Sequence, residues 1–267
     1  MEKVENALIG FSGFIGGTLL AQGDYRFLFR STNIHEIDNS NFDIVVCTAA
    51  PGQKWIANRE PAQDKKNINS LVNHLRTIKC EKFILISTVD VFKEPIGVDE
   101  SSEVEESGLH AYGLHRRHLE KFVEQHFPSH LIVRLPGLVG PGLRKNIIYD
   151  FHNNNNLDAI ESRGIFQFYP TVNLWHDIQT ALRANLSTIH LTSEPISVAD
   201  VSKLCFGRSF TQTLDKPPAR YDMQTRYANL FESTGRYLYS AKETVEAIRA
   251  YAQSEPIVAQ GENGAPI

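Results

Sequence analysis

The chain has 267 residues, 42% of them hydrophobic and 22% charged, enough length and apolar mass for one large domain, or one domain with a small appendage. Lys and Arg total 27 against 31 Asp and Glu, a formal charge of −4. No basic field is available for a nucleic-acid backbone, so small molecules or proteins are the expected partners. The longest apolar runs, Ile44 to Cys47 and Phe83 to Ile86, fall far short of the roughly 20 residues that cross a bilayer, and no signal-like stretch precedes the first strand, so a cytoplasmic location without membrane contact is expected.

In chain order, strand-like runs occupy Ala7 to Gly10, Arg26 to Arg30, Asp43 to Thr48, Lys82 to Ser87 and His130 to Leu135. Helical patterns lie at Gly13 to Gln22, Pro61 to Ile78 and Leu109 to His126, where Leu119 and Val123 share a face. This alternation predicts an α/β fold, a doubly wound parallel sheet of the Rossmann kind. Only about a dozen residues separate Arg30 from Asp43, near the minimum for a parallel crossover, so a short helix or turn is expected there. Beyond Pro141 the pattern loosens into a smaller lobe. A helix is expected over Trp175 to Asn185, a strand at Ile189 to Leu191 and a helix over Val198 to Cys205. The resulting division is a nucleotide-binding domain at 1–145, a substrate lobe at 146–253, partly interleaved with the sheet, and a loose tail at 254–267. Cys47, Cys80 and Cys205 are odd in number and widely spaced, which reads as free thiols.

The most specific feature is Gly10-Phe11-Ser12-Gly13-Phe14-Ile15-Gly16, which follows a strand and opens a helix. The first Gly permits a tight turn, the second lets a pyrophosphate approach the backbone, and the third lets the helix pack on the strand, with helix N–H groups facing the anion. This G-x-x-G-x-x-G spacing resembles the extended branch of the short-chain dehydrogenase/reductases, the NAD(P)-dependent epimerases, dehydratases and reductases of nucleotide-linked sugars. The resemblance continues over about 145 residues. Cys47-Thr48-Ala49-Ala50 is similar to the strand end that passes the cofactor ribose and phosphates, and Asn67, with Asn73, to the helix carrying a structural Asn. Ile86-Ser87-Thr88-Val89-Asp90-Val91-Phe92 resembles "S-T/S-x-x-V-Y", with Thr88 at the catalytic position. Arg134-Leu135-Pro136-Gly137-Leu138-Val139-Gly140-Pro141 is similar to "R-x-x-N-x-x-G-P".

Arg30, Ser31 and Thr32 end the second strand, where a carboxylate would accept from ribose hydroxyls and a cation would pair with a 2′-phosphate. NADP(H) is therefore the expected cofactor, with NAD(H) the alternative. Lys3 and Arg26 stand at strand starts, away from the binding edge. The expected cofactor contacts are Gly10, Ser12, Gly13, Phe14, Ile15, Gly16, Arg30, Ser31, Thr32, Thr48, Ala49, Ala50, Asn67, Ser87, Tyr112, Arg116, Pro136, Gly137 and Leu138.

Tyr112-Gly113-Leu114-His115-Arg116 stands where the family has Tyr-x-x-x-Lys. A cation about 4 Å from the Tyr112 hydroxyl would contribute about 4 kcal/mol toward its ionisation at an effective dielectric near 20, and Arg supplies that charge as Lys does. It cannot release a proton, and its fork reaches further. The resemblance implies that Tyr112 exchanges a proton with a substrate hydroxyl or carbonyl, that Thr88 bonds the same oxygen, and that Arg116 orients the nicotinamide ribose and lowers the Tyr112 pKa. Two departures bear on the substrate. Gly137 replaces the usual Asn, and Val89-Asp90 does not reproduce the dehydratase Asp-Glu pair, so reduction or epimerisation is expected over dehydration. Asp90 reads equally as a substrate contact or a solvated loop carboxylate.

His110, His115 and His118 have no ligand-spaced partner, so no metal is expected. Arg144 and Lys145, near Asn146 and Tyr149, read as diphosphate contacts or a surface pair. Gln167, Phe168, Tyr169 and Trp175 read as core of the small lobe before pocket wall, and Trp55 lies in a loop of undefined direction. The resemblance also implies a homodimer formed through the Tyr-bearing helix. The alternative to an enzyme is an NADP(H)-binding sensor with weak or no turnover.

Overall fold

The computed structural model describes residues 5–258; Lys3 and most of the tail expected over 254–267 lie outside the described residues. β1 (Ala7–Ile9) leads into α1 (Phe14–Gln22), β2 (Phe27–Phe29), β3 (Asn41–Cys47), α2 (Lys54–Arg59), α3 (Pro61–Leu75), β4 (Lys79–Thr88), β5 (Ile96–Val98), α4 (Ala111–His126) and β6 (His130–Leu135). There follow β7 (Gly137–Val139), α5 (Ile147–Asn153), β8 (Ile165–Phe166), β9 (Phe168–Pro170), α6 (Leu174–Arg183), β10 (Thr188–His190), β11 (Ile196–Ser197), α7 (Val198–Phe206), β12 (Asp222–Met223) and α8 (Ala241–Ser254). None of the described helices is long and apolar enough to cross a membrane.

Six strands form one sheet in the order β10-β6-β4-β3-β1-β2, every neighbouring pair parallel. Successive strand residues point to opposite faces. Ile9, Val45, Phe83, Leu85 and Ile132 meet Ile68, Leu71 and Leu75 of α3 and Leu119 and Val123 of α4 on one side. Leu8, Val46, Ile84, Leu131 and Val133 meet Leu19 of α1 and Leu174, Ile178 and Ala181 of α6 on the other. Burial on both faces explains why these strands read as nearly continuous apolar runs. The C-terminal segments have a further core, with Ile148, Phe151, Val201, Ile248 and Tyr251 from α5, α7 and α8.

The short connection after Arg30 is a single 3₁₀ turn, Ile34–Ile37, anchored by Asn33, which accepts from the Arg30 amide and donates to the Leu28 carbonyl. It leaves no room for a further strand, so β3 lies directly against β1. Chain order therefore reverses between β1 and β3, and the crevice beyond the C-terminal ends of those strands is where open α/β sheets take ligands. Most boundaries shift by one or two residues from the sequence expectation, and two shift by three. β4 starts at Lys79 because Asn41 pairs with it in register, and α3 stops at Leu75, well before Ile78. The short α2 has no counterpart among the expected elements.

Candidate active site

Around the glycine turn, two glycines are demanded by the protein itself. Gly10 has φ +92°, and a Cβ there would lie 2.6 Å from Thr48 Oγ1. A Cβ on Gly16 would overlap the Gly10 carbonyl oxygen. Gly13 is different. Its φ of −79° suits any residue, and a Cβ would meet nothing nearer than 3.5 Å, so the absence of a side chain leaves open surface at the start of α1. No side chain caps that helix, so its first N–H groups are left for water or a ligand. Ser12 is exposed, while Phe14 and Ile15 are half-buried in the first turn.

Thr48 Oγ1 donates to the Ile9 and Gly10 carbonyls at 3.0 and 3.1 Å, bracing the turn from β3. Ala49 and Ala50 follow it, half-buried against the core. Arg30 is exposed at the end of β2. Its Nε donates to Thr32 Oγ1 at 3.0 Å, and its guanidinium carbon sits 6.0 Å from the Phe11 ring centroid, over the glycine turn. Ser31 and Thr32 are exposed beside it.

At the same edge of the sheet, β4 ends at Thr88 and α4 begins just ahead of Tyr112. His110 caps α4 by accepting from the Gly113 amide at 3.0 Å, and Asn58 accepts from the Tyr112 amide at 2.9 Å. Tyr112 is 8% exposed. Burial pushes its hydroxyl above the usual tyrosine range; Arg116, a hydrogen bond with Thr88 and the more distant Lys54 pull it down, and Asp90 pushes it up, with burial prevailing. The cation at the fourth position pulls the Tyr112 hydroxyl down, but burial outweighs it and the group stays above the usual tyrosine range. Arg116 is itself held by several partners. Arg116 Nη1 and Nη2 reach Asp64 at 2.5 and 3.0 Å, and further bonds go to the carbonyls of Tyr112 and Pro51. Its charge is compensated by a carboxylate, although its guanidinium carbon lies only 4.0 Å from the Tyr112 ring centroid.

Lys54, Asp90 and Tyr221 complete the surroundings. Lys54 Nζ donates to Asp90 Oδ1 at 2.7 Å and to Tyr221 Oη at 3.1 Å, and Tyr221 donates to the same Asp90 oxygen at 3.0 Å. Burial lowers the Lys54 pKa, but Asp90 and Tyr221 more than reverse it. Asp90 is therefore a held carboxylate and not a solvated one. Tyr221 reaches it because Asp222 and Gln224 donate backbone bonds to Pro95 and Val98, pinning the β12 segment to β5. Lys145 donates to the Gly52 carbonyl, and burial, then Arg116, lowers its pKa. Asn146 instead caps α5; Arg144 is exposed and Tyr149 half-buried.

Some expected contacts turn away from this edge. Ser87 donates to Glu120 at 2.6 Å in a buried network with Arg134 and Arg117, because strand alternation sends it to the face opposite Thr88's neighbours. Asn67 is exposed and accepts from Gln63 at 2.8 Å; one helical turn earlier, Asp64 faces inward. Gly137 stands where a Cβ would lie 2.6 Å from the Gln167 carbonyl, so an Asn does not fit there. Pro136 is buried and Leu138 half-buried beside it. Gln167, Phe168 and Tyr169 belong to the core, Trp175 packs edge-on to Tyr25, and Trp55 is exposed under Arg59. His115 pairs with Asp64 and His118 with Glu106.

Sequence reasoning did not single out Asp64, Lys54, Asn58 or Tyr221. Asp64 carried a usable signal, since it precedes Ile68 by four residues on the apolar stripe of α3 and so needs a buried partner. The other three depend on long-range folding alone.

Comparison with solved structures agrees with this architecture. A dTDP-4-dehydrorhamnose reductase from Clostridium acetobutylicum superposes with a TM-score of 0.69 at 18% identity, over 94% of this chain and 99% of that one. The corresponding enzyme of Bacillus anthracis, in complex with NADP, gives 0.71 at 18%, over 95% and 100%. A UDP-N-acetylglucosamine 4-epimerase from Methanobrevibacter ruminantium gives 0.71 at 13%, over 95% and 98%. This is the fold of the extended short-chain dehydrogenase/reductases. No protein-family model matches the sequence, and no curated protein does. The chain spans nearly the whole length of these structures.

Proposed function

We propose that the protein is an NADP(H)-dependent reductase or epimerase acting on a hydroxyl or carbonyl of a nucleotide-linked sugar. The observation that carries this reading is the convergence, at one sheet edge, of an uncrowded glycine turn with Tyr112 beside Thr88. Two features fit a dinucleotide. The open space at Gly13 is not required by any neighbour in the protein, and Arg116 Nε is buried with no partner among the described residues, an N–H suited to a ligand oxygen. The B. anthracis reductase carries NADP, and Arg30 provides the cation that a 2′-phosphate would use.

In this reading the α1 N-terminus, Ser12 and Gly13 hold the pyrophosphate, with Thr48, Ala49 and Ala50 along the other wall. Arg30, Ser31 and Thr32 take the 2′-phosphate, and Arg116 the nicotinamide ribose. The bound nicotinamide supplies or accepts a hydride at the substrate carbon. Tyr112 gives or takes the proton of the attached oxygen, and Thr88 holds that oxygen by a hydrogen bond. Asp90, fixed by Lys54 and Tyr221, accepts from a neighbouring substrate hydroxyl. Because burial keeps Tyr112 protonated, the side chain already carries the proton that a reduction consumes, whereas abstraction would first require its ionisation.

The same observation sustains a second reading, a sensor that binds NADP(H) with little turnover, since burial holds Tyr112 above the range in which it would act as a base. Fluorescence titration with NADPH and NADH, followed by NADPH oxidation assays over a panel of dTDP- and UDP-linked 4-keto and 4-hydroxy hexoses, separates the two. Turnover with loss in Tyr112→Phe establishes the enzyme. Binding without turnover establishes the sensor, and failure to bind either nucleotide overturns both.

A further inference from the structure

Asp64 and Arg116 meet between α3 and α4, 5% and 3% exposed. The guanidinium engages both carboxylate oxygens, and His115 Nδ1 lies 2.7 Å from Asp64 Oδ2. Burial alone would raise the Asp64 pKa; hydrogen bonds from Arg116 and His115 outweigh it and hold the carboxyl ionised. Isolated, either charge would be costly at this depth, and together they tolerate it.

The count of donors is informative. Nη1 serves Asp64 and the Tyr112 carbonyl, and Nη2 serves Asp64 and the Pro51 carbonyl. Only Nε has no partner, and it is buried. An N–H left unmade in the interior carries a desolvation cost that a ligand acceptor would remove. The guanidinium also spans two parts of the site, stacking 4.0 Å from the Tyr112 ring centroid and bonding the loop that follows Ala49 and Ala50. A lysine could not divide its donors this way, because a compact ammonium facing a buried carboxylate would be drawn into it.

We infer that Asp64 is a positioning residue, holding the two terminal nitrogens of Arg116 so that the remaining Nε–H is offered to a hydroxyl of the nicotinamide ribose. Asp64 and Arg116 form one unit, and the Arg at this position makes sense only with its carboxylate. The inference rests on the NADP(H) reading above.

The test compares NADPH affinity, by fluorescence titration, in the wild type, R116K and D64N/R116K, with thermal melts to verify folding. R116K is expected to weaken NADPH about tenfold or more, because Asp64 captures the ammonium. D64N/R116K is expected to recover most of that loss, since the capturing charge is gone. In the wild type, the ¹⁵Nε resonance absent from the R116K spectrum should shift when NADPH is added, which a purely structural pair would not produce. R116K binding as well as the wild type, a double variant no better than R116K, or an unmoved Nε resonance would each overturn the inference. Should the double variant fail to fold, the wild-type resonance decides. A wild type that does not bind NADPH overturns the functional reading as well; one that binds, with R116K unaffected, overturns this inference alone.

Discussion

Gly13 and Gly16 stand three residues apart in one turn and answer to different demands. Gly16→Ala drives a methyl into the Gly10 carbonyl, so a loss of about 1–3 kcal/mol is expected in denaturant unfolding. Gly13→Ala meets only ordinary contact distances, so its melting point should stay close to the wild type while NADPH affinity falls about tenfold, because the methyl occupies space that a pyrophosphate needs. Equal destabilisation by the two changes would remove the argument for an anion at the turn. Arg30 is tested through cofactor choice. Arg30→Asp replaces a cation that could pair with a 2′-phosphate by a carboxylate suited to a free ribose, so NADPH should weaken at least about tenfold more than NADH. Parallel titrations with the two nucleotides measure this, and equal weakening would detach Arg30 from the cofactor. At this scale the candidate site is largely legible in sequence where spacing is local. Tyr112 and Arg116 are four residues apart on one helix, and Gly10 to Gly16 form a continuous turn. What spacing cannot convey is that Arg116 is matched by Asp64, 52 residues away, or that Ser87 points into the interior while its neighbour Thr88 faces the site.

The β4, α4, β6 and β10 elements are joined by charge as well as by backbone. Glu120 is fully buried, and although burial raises its pKa, Arg134, Ser87 and Arg117 together hold it below the usual glutamate range. Arg134 Nη1 lies 3.3 Å from His190 Nε2, and His190 on β10 bonds the Gln224 carbonyl through Nδ1. Burial lowers the His190 pKa to about 4, so the folded state keeps this ring neutral. Between the unfolded value near 6.5 and about 4, the unfolded chain binds the extra proton, and stability must fall as pH falls through that window. Thermal melts from pH 7 to pH 4 should show this decline, and His190→Gln should flatten it; an unchanged slope would show that another group carries the acid sensitivity. Element existence is legible wherever the apolar run is long, as in β3, β4 and β6, because burial on both sheet faces leaves little freedom in composition. α2 is illegible for the opposite reason. Its six residues, Lys54 to Arg59, complete fewer than two turns, so no periodicity develops.

Viewed as a whole, the sheet does not belong to the first half of the chain alone. β10, from residues 188–190, covers the edge of β6, and α6 covers the face made by Leu8, Ile84, Leu131 and Val133. A fragment of residues 1–145 should therefore lack a cooperative thermal transition and bind hydrophobic dyes, since it leaves that edge bare and that face covered by α1 alone; a sharp melt at the temperature of the full chain would refute this. The reversal of strand order at β1 and β3 is partly legible, because a dozen residues after Arg30 cannot hold a strand and a helix. The pairing of β5 with β12 is not, as two- and three-residue strands leave no pattern. The late arrival of β10 also has a meaning in time. During synthesis at about 5–20 residues per second, some 50 residues separate the completion of β6 from that of β10, a gap of about 3–10 seconds. Throughout that interval the nascent chain presents β6 as an open parallel edge, its residues Ile132, Val133 and Arg134 still waiting for β10, so pairing between growing copies is the expected route to loss of folded protein during synthesis.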